Sequence, residues 1–141
     1  MGNQQLLLIA LGVFIVVIAI FIGFKLFTAS FNEQIKDLAI VKVNDIGIQA
    51  NVYRKKSSDL GGGGGSYKGF SKQLHTLLKE YDIVKKIKFT EQINTIVMNF
   101  TLTTKGENNR AYRVWGRYTP NGLDRLRVYE PDQKKWIWLY K

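Results

Sequence analysis

The chain has 141 residues, one domain's worth of polypeptide, and carries 21 Lys and Arg against 11 Asp and Glu, a formal net charge of +10. It has no cysteine and one histidine, His75, which excludes disulfides and thiolate sites and leaves a transition metal without a ligand set. The carboxylates are scattered and mostly sit beside basic residues, so no acid–base pair stands out; neither a cofactor nor an enzymatic activity is expected.

Residues Leu6 to Phe24, LLLIALGVFIVVIAIFIGF, contain no charge and no hydrogen-bonding side chain. Fifteen are large and apolar: Leu6, Leu7, Leu8, Ile9, Leu11, Val13, Phe14, Ile15, Val16, Val17, Ile18, Ile20, Phe21, Ile22 and Phe24. The β-branched content suits a strand, but strands run 4–8 residues and a bilayer span needs about 20. Fifteen such side chains favour insertion by about 4 to 9 kcal/mol. A cleaved secretory signal would want basic residues in MGNQQ and a small residue where Phe27 stands before Thr28 and Ala29. Myristoylation would want Ser or Thr at Leu6. A retained membrane helix is the expectation.

Lys25 to Ser58 contains no turn signal, and the only prolines are Pro120 and Pro131. Ala39, Val43, Ile46, Ala50 and Tyr53 fall at intervals of 4, 3, 4 and 3, a helical stripe suited to packing on a partner. Ile35 lies one turn earlier; Ile40, Val41, Ile48 and Val52 lie off the stripe. Glu33, Asp37 and Asp45 alternate with Lys36 and Lys42, and Arg54, Lys55 and Lys56 complement the dipole at the C-terminal end. The spacing predicts a helical stalk over residues 1–58, roughly 80 Å of helix at 1.5 Å per residue.

A glycine-rich loop over 59–70 follows, with Gly61, Gly62, Gly63, Gly64 and Gly65 consecutive, and then a head over 71–141. Ser71 can cap a short helix with Leu74, Leu77, Leu78 and Tyr81 on one face, His75 beside them. From Val84 the period becomes two. Lys85–Thr90 is a candidate opening strand. Ile96, Met98, Phe100 and Leu102 alternate with Thr95, Asn99, Thr101 and Thr103, Val97 being the exception. A turn at 105–109, the strand RAYRVWGRYT, the reversal Pro120–Asn121–Gly122, LDRLRVYE, Pro131–Asp132 and KKWIWLYK complete an antiparallel meander of four or five strands. The fold class is α+β: a long hydrophobic and amphipathic N-terminal helix packed on a small antiparallel meander.

Gly2 before the hydrophilic Asn3, a hydrophobic stretch starting within a few residues, its continuation as an amphipathic helix, and a loop leading to an antiparallel sheet together resemble a type IV pilin-like subunit. The resemblance spans the chain through generic motifs. It implies a lollipop-shaped subunit, cut by a prepilin peptidase between Gly2 and Asn3, whose hydrophobic half-helices pack in a filament core with identical subunits. It implies residence in the inner membrane before assembly and at the cell surface afterwards. The family's usual Glu at the fifth mature position is replaced by Leu7 after such a cut, or by Gln5 counting from Met1, so the ion pair to a neighbour's terminal amine is missing. The usual mid-helix proline is missing too.

Two features leave alternatives open. The glycine run is either a flexible linker or an ordered contact between subunits; no Gly-Lys-Ser/Thr follows it, against a phosphate cradle. From Ser66 to Lys141 there are 15 Lys and Arg against 7 Asp and Glu. Arg113, Trp115 and Arg117 share one strand face, and Arg125, Arg127 and Tyr129 share one on the next. They form either a surface for nucleic acid or other anionic partners, or a solvated face whose arginines cover aromatic rings. Asn99-Phe100-Thr101 fits a glycosylation acceptor. Function divides likewise: a filament subunit, a single-pass membrane protein with a small soluble domain, or a minor pilin or pseudopilin of a secretion or DNA-uptake system.

Overall fold

The computed structural model describes residues 2–74 and 83–141, so His75, Leu77, Leu78 and Tyr81 lie outside the described residues. Helix α1 runs from Gly2 to Lys55. A 3-10 turn, Ser58–Leu60, and a short helix α2, Phe70–Leu74, precede five strands: β1 Val84–Glu91, β2 Ile96–Lys105, β3 Ala111–Thr119, β4 Gly122–Glu130 and β5 Lys135–Tyr140. They form one antiparallel sheet in the order β1-β2-β3-β4-β5, a pure meander. The chain divides into two compact units, residues 1–34 and residues 35–141.

The first unit is helix alone. Phe27 and Phe31 stack with centroids 6.5 Å apart, Lys25 Nζ sits 5.3 Å from the Phe21 ring centroid, and the Thr28 hydroxyl donates to the Phe24 carbonyl at 3.0 Å. These contacts all lie one turn apart on the same helix.

In the second unit the last five turns of α1 cover one face of the sheet. Ile35, Ala39, Val43, Ile46 and Ala50 are buried, Tyr53 half-buried. They meet Ile96, Met98, Phe100 and Leu102 of β2, Val114 and Tyr118 of β3, and Leu126 and Val128 of β4. Strand alternation places these residues on one face because side chains project to opposite sides at period two. Helix and sheet approach closely where bulk is missing on one side. A Cβ at Gly47 would overlap the Tyr118 ring, and one at Gly116 would lie 2.5 Å from Val43 Cγ1.

Polar contacts fix the register of helix on sheet. The Tyr118 hydroxyl donates to Asn44 Oδ1 at 3.0 Å, and Asn51 Nδ2 donates to the Thr119 carbonyl at 3.3 Å. Lys36, one of the charges that alternate along this part of α1, is buried. Its ammonium lies 2.7 Å from Glu130 Oε1 and 5.0 Å from the Tyr112 ring centroid. A buried ammonium is tolerated only when paired in this way.

The start of α2 also departs from expectation. Ser71 lies inside the first turn, and the cap comes from Glu91 at the end of β1. Its carboxylate accepts the Gly69 N–H at 2.8 Å and the Ser71 N–H at 2.5 Å. A carboxylate there satisfies donors that the helix leaves free and complements its dipole.

Adding a methyl group at the helix–sheet contact should cost stability without changing the fold. Gly47→Ala and Gly116→Ala should each lower the unfolding free energy of the full-length chain in detergent micelles by about 1–3 kcal/mol. Denaturant unfolding followed by circular dichroism checks this. Burial also raises the pKa of Tyr67, Tyr112 and Tyr118; at Tyr112, Asp132 adds to the rise and Lys36 opposes it. The folded state therefore favours the neutral phenols. Their contribution is complete below about pH 10 and is lost as the pH climbs from there through the folded values, because the unfolded chain ionises first. Absorbance titration of tyrosinate should show these phenols ionising later in the folded chain than in denaturant.

Candidate functional site

Three surfaces stand apart from the core. The first is the apolar part of α1. Among Leu6 to Phe24, the fifteen Leu, Ile, Val and Phe side chains are between 43% exposed, at Ile18, and 70% exposed, at Leu7 and Phe24. This helix is long and apolar enough to cross a membrane. Gly2 and Asn3 are exposed at its start.

The second is the glycine loop, where the local geometry accounts for every residue. After α1 ends, the chain turns back over the helix terminus. The Gly63 N–H donates to the Tyr53 carbonyl at 2.8 Å, Gly64 to Lys56 at 3.0 Å and Gly65 to Arg54 at 2.8 Å. Gly61 donates to Ser58 at 3.0 Å and Gly62 to Ser57 at 2.9 Å. Helix ends leave four carbonyls without intrahelical partners, and this loop supplies donors for three of the closing residues. Gly61, Gly64 and Gly65 hold positive φ of 78°, 55° and 92°. At Gly62 a Cβ would strike Lys56, and at Gly63 it would strike the Ser66 carbonyl. Thus Gly62 and Gly63 need glycine for space, and Gly61, Gly64 and Gly65 adopt left-handed backbone that glycine favours, all for reasons internal to one chain. That geometry is a helix cap, not the free linker that composition suggests, and it explains the glycines without a neighbouring subunit. The loop ends on a polar anchor: Tyr67, fully buried, donates its hydroxyl to Asn51 Oδ1, and Tyr53 donates to the Lys68 carbonyl at 3.0 Å.

The third is the outer face of the sheet, away from α1. Cross-strand pairing aligns Arg113 with Tyr129, Trp115 with Arg127 and Arg117 with Arg125. Two residues not singled out from the sequence join them: β5 pairs Trp136 with Tyr129 and Trp138 with Arg127. The Arg127 guanidinium carbon lies 4.6 Å from the Trp115 ring centroid, 4.5 Å from Trp136 and 5.2 Å from Trp138. Arg113 lies 4.5 Å from Tyr129 and 5.3 Å from Trp136. Trp115 and Trp138 meet edge to face at 6.2 Å. The WIW alternation in β5 was the available signal, but it becomes a site only once β5 is known to lie beside β4.

Arg117 differs from its neighbours. Its Nε donates to Asp124 Oδ2 at 2.5 Å, and Arg125 Nε lies 3.9 Å from the same oxygen. Among the described residues, no carboxylate pairs with Arg113 or Arg127; rings hold them instead. Such cation–ring contacts are worth about 0.5–2 kcal/mol each. Asn99, the glycosylation candidate, sits mid-strand between Lys88 and Trp115, with a buried Oδ1 that has no hydrogen-bond partner among the described residues. Acceptor asparagines are expected on surface loops, and this one lies in a paired strand.

Among the described residues no group of three His, Cys, Asp or Glu side chains is placed to hold a metal ion. An open cavity of about 380 Å³ lies beside the end of α1, lined by Ile48, Val52, Tyr53, Phe70 and Leu74 among others. Comparison with known protein families, curated proteins and solved structures finds no match for this chain. What the fold itself establishes is a pilin-like architecture, a long apolar N-terminal helix packed on a five-stranded antiparallel sheet.

The cap explanation makes a strong demand on the loop. Gly63→Ala should destabilise the full-length chain by about 1–3 kcal/mol, and Gly65→Ala by about 1–2 kcal/mol through its positive φ. The amides of Gly63, Gly64 and Gly65 should exchange slowly in dispersed single chains. Exchange at free-chain rates there would show that the loop does not cap the helix.

Proposed function

We propose that this chain is a structural subunit of a type IV pilin-like extracellular filament, held in the membrane before assembly and packed against identical subunits afterwards. One observation carries the reading: fifteen large apolar side chains on α1, each at least 43% exposed among the described residues. Covering them is worth roughly 20 to 45 kcal/mol gross at about 1.5–3 kcal/mol per side chain, so water is not their solvent. Acyl chains or copies of the same helix are the two media that remain. A bundle of such helices removes the same surface from water as a bilayer does, which makes lateral transfer from one to the other feasible. The role is mechanical and needs no catalytic group. Removal of Met1 and Gly2 before Asn3, and a motor for assembly, follow from the resemblance to pilins.

A second reading has its own support. Lys25 and all later basic residues lie C-terminal to the apolar stretch. The positive-inside rule would then place the second unit in the cytoplasm, as a single-pass membrane protein that never assembles. Shearing cells and imaging the released material by electron microscopy separates the two. The filament reading expects sheared fibres containing this chain, with an intact mass lacking Met1 and Gly2 if the leader is removed. Recovery of the chain solely as detergent-extracted monomer would favour the second reading.

A further inference from the structure

We propose that the outer face of the sheet, where Trp115, Trp136, Trp138 and Tyr129 interleave with Arg113 and Arg127, binds single-stranded nucleic acid.

The placement is the first argument. Reading across the strands, one row runs Lys88, Asn99, Trp115, Arg127, Trp138, and the next runs Lys86, Thr101, Arg113, Tyr129, Trp136. All three tryptophans of the chain stand in these two rows, on the face that α1 does not cover. A sheet with one face on a helix normally keeps its other face polar and wet. Here the largest apolar side chains are on that wet face, and Trp138 is 39% exposed.

Charge is the second. The two rows and the adjoining Arg117–Arg125 pair hold six cations, and the carboxylate beside that pair, Asp124, is engaged by Arg117. Arg113 and Arg127 are positioned by rings. Among the described residues Arg127 Nε is buried without a hydrogen-bond partner, and ring stacking holds that side chain. A guanidinium stacked on a ring keeps its charge and presents its planar fork to a phosphate. The face is therefore complementary to a polyanion.

The rings decide which polyanion. A sulfated polysaccharide or a duplex backbone would satisfy the cations and leave the aromatic faces unused, since duplex bases are stacked on each other. An unpaired strand offers phosphates at close intervals and bases free to stack, the combination that ring-bearing basic sheets accommodate. The proposal does not rest on the filament reading, because the face belongs to a single chain.

The tryptophans themselves are the probe. Full-length chain in detergent micelles would be titrated with an oligothymidylate of about 15 nucleotides while tryptophan emission is followed. Saturable quenching is expected, weakening with salt at a slope of about −0.7 for each phosphate neutralised. Trp138→Ala should weaken binding roughly five- to 150-fold. An Arg113→Gln, Arg127→Gln double variant should weaken it further at low salt and flatten the slope by roughly 1.4. Circular dichroism checks that each variant is folded. Duplex DNA of the same length and heparin serve as the other arms and should bind more weakly without quenching. Oligothymidylate that leaves tryptophan emission unchanged, duplex or heparin binding as tightly as the single strand, or folded variants that bind as well as the parent would each overturn the proposal.

Discussion

A five-stranded meander has two faces, and the last turns of α1 cover one of them with Phe70 and Leu74 of α2 in the same core, so the contact between α1 and β3 governs the rest. That contact works by subtraction. Gly47 on the helix leaves room for the Tyr118 ring, and Gly116 on the strand leaves room for Val43. Ala39 and Ala50 extend the thin side of the helix, and both are fully buried. Backbones brought this near let short side chains make the dense contacts from which packing energy comes. The polar groups that flank the contact, Asn44, Asn51 and the Lys36–Glu130 pair, then fix where along the sheet the helix sits. A slip of one residue would bury the wrong stripe and leave Lys36 without Glu130, which a buried ammonium does not tolerate.

The glycine loop extends the same logic to the helix end. α1 must stop where the sheet stops, and its final carbonyls need donors. Side chains of the last turn cannot supply them all, because Arg54 is turned to Asn94 and the Tyr67 ring. Backbone N–H groups can, provided that the returning chain comes within van der Waals reach of the helix terminus. Only glycine permits that approach at Gly62 and Gly63, and glycine adopts the left-handed dihedral angles at Gly61, Gly64 and Gly65 at the least cost. The ordering entropy of five glycines is a real cost. It is offset by donors placed on Tyr53, Arg54 and Lys56 and by the Tyr67 anchor that follows.

What could be read from the sequence was whatever depends on local period. The 4-3-4-3 spacing from Ala39 to Tyr53 and the alternation from Ile96 to Leu102 both describe faces, and faces are local properties. Strands β3 and β4 begin and end within a residue or two of the turn signals that bound them. Roles that need a distant partner were not legible. Lys36 looks like one charge among several until Glu130 is brought to it, and Gly47 has no evident purpose without Tyr118. Ser71 has the right chemistry for a cap, but Glu91 from another element takes the place. The outer face was half visible: alternation placed Arg113, Trp115, Arg127 and Tyr129 together. Trp136 and Trp138 joined them only through the β4–β5 register.

The proposed exchange of α1 between lipid and bundle raises a final point of energetics. Both media remove apolar side chains from water, so the hydrophobic effect holds the helix out of water without favouring either one. Preference for a bundle must then come from packing against neighbours or from work done by the assembly apparatus. Gly12 and Gly23 carry no side chain, and among the described residues a Cβ added at either would meet nothing within 4 Å beyond the adjoining helix, so close approach of another helix is sterically open at both. Neither Leu7 nor Gln5 brings the charge that would add an ion pair at the N-terminal end. A filament of this chain would therefore depend on shape more than on charge along α1.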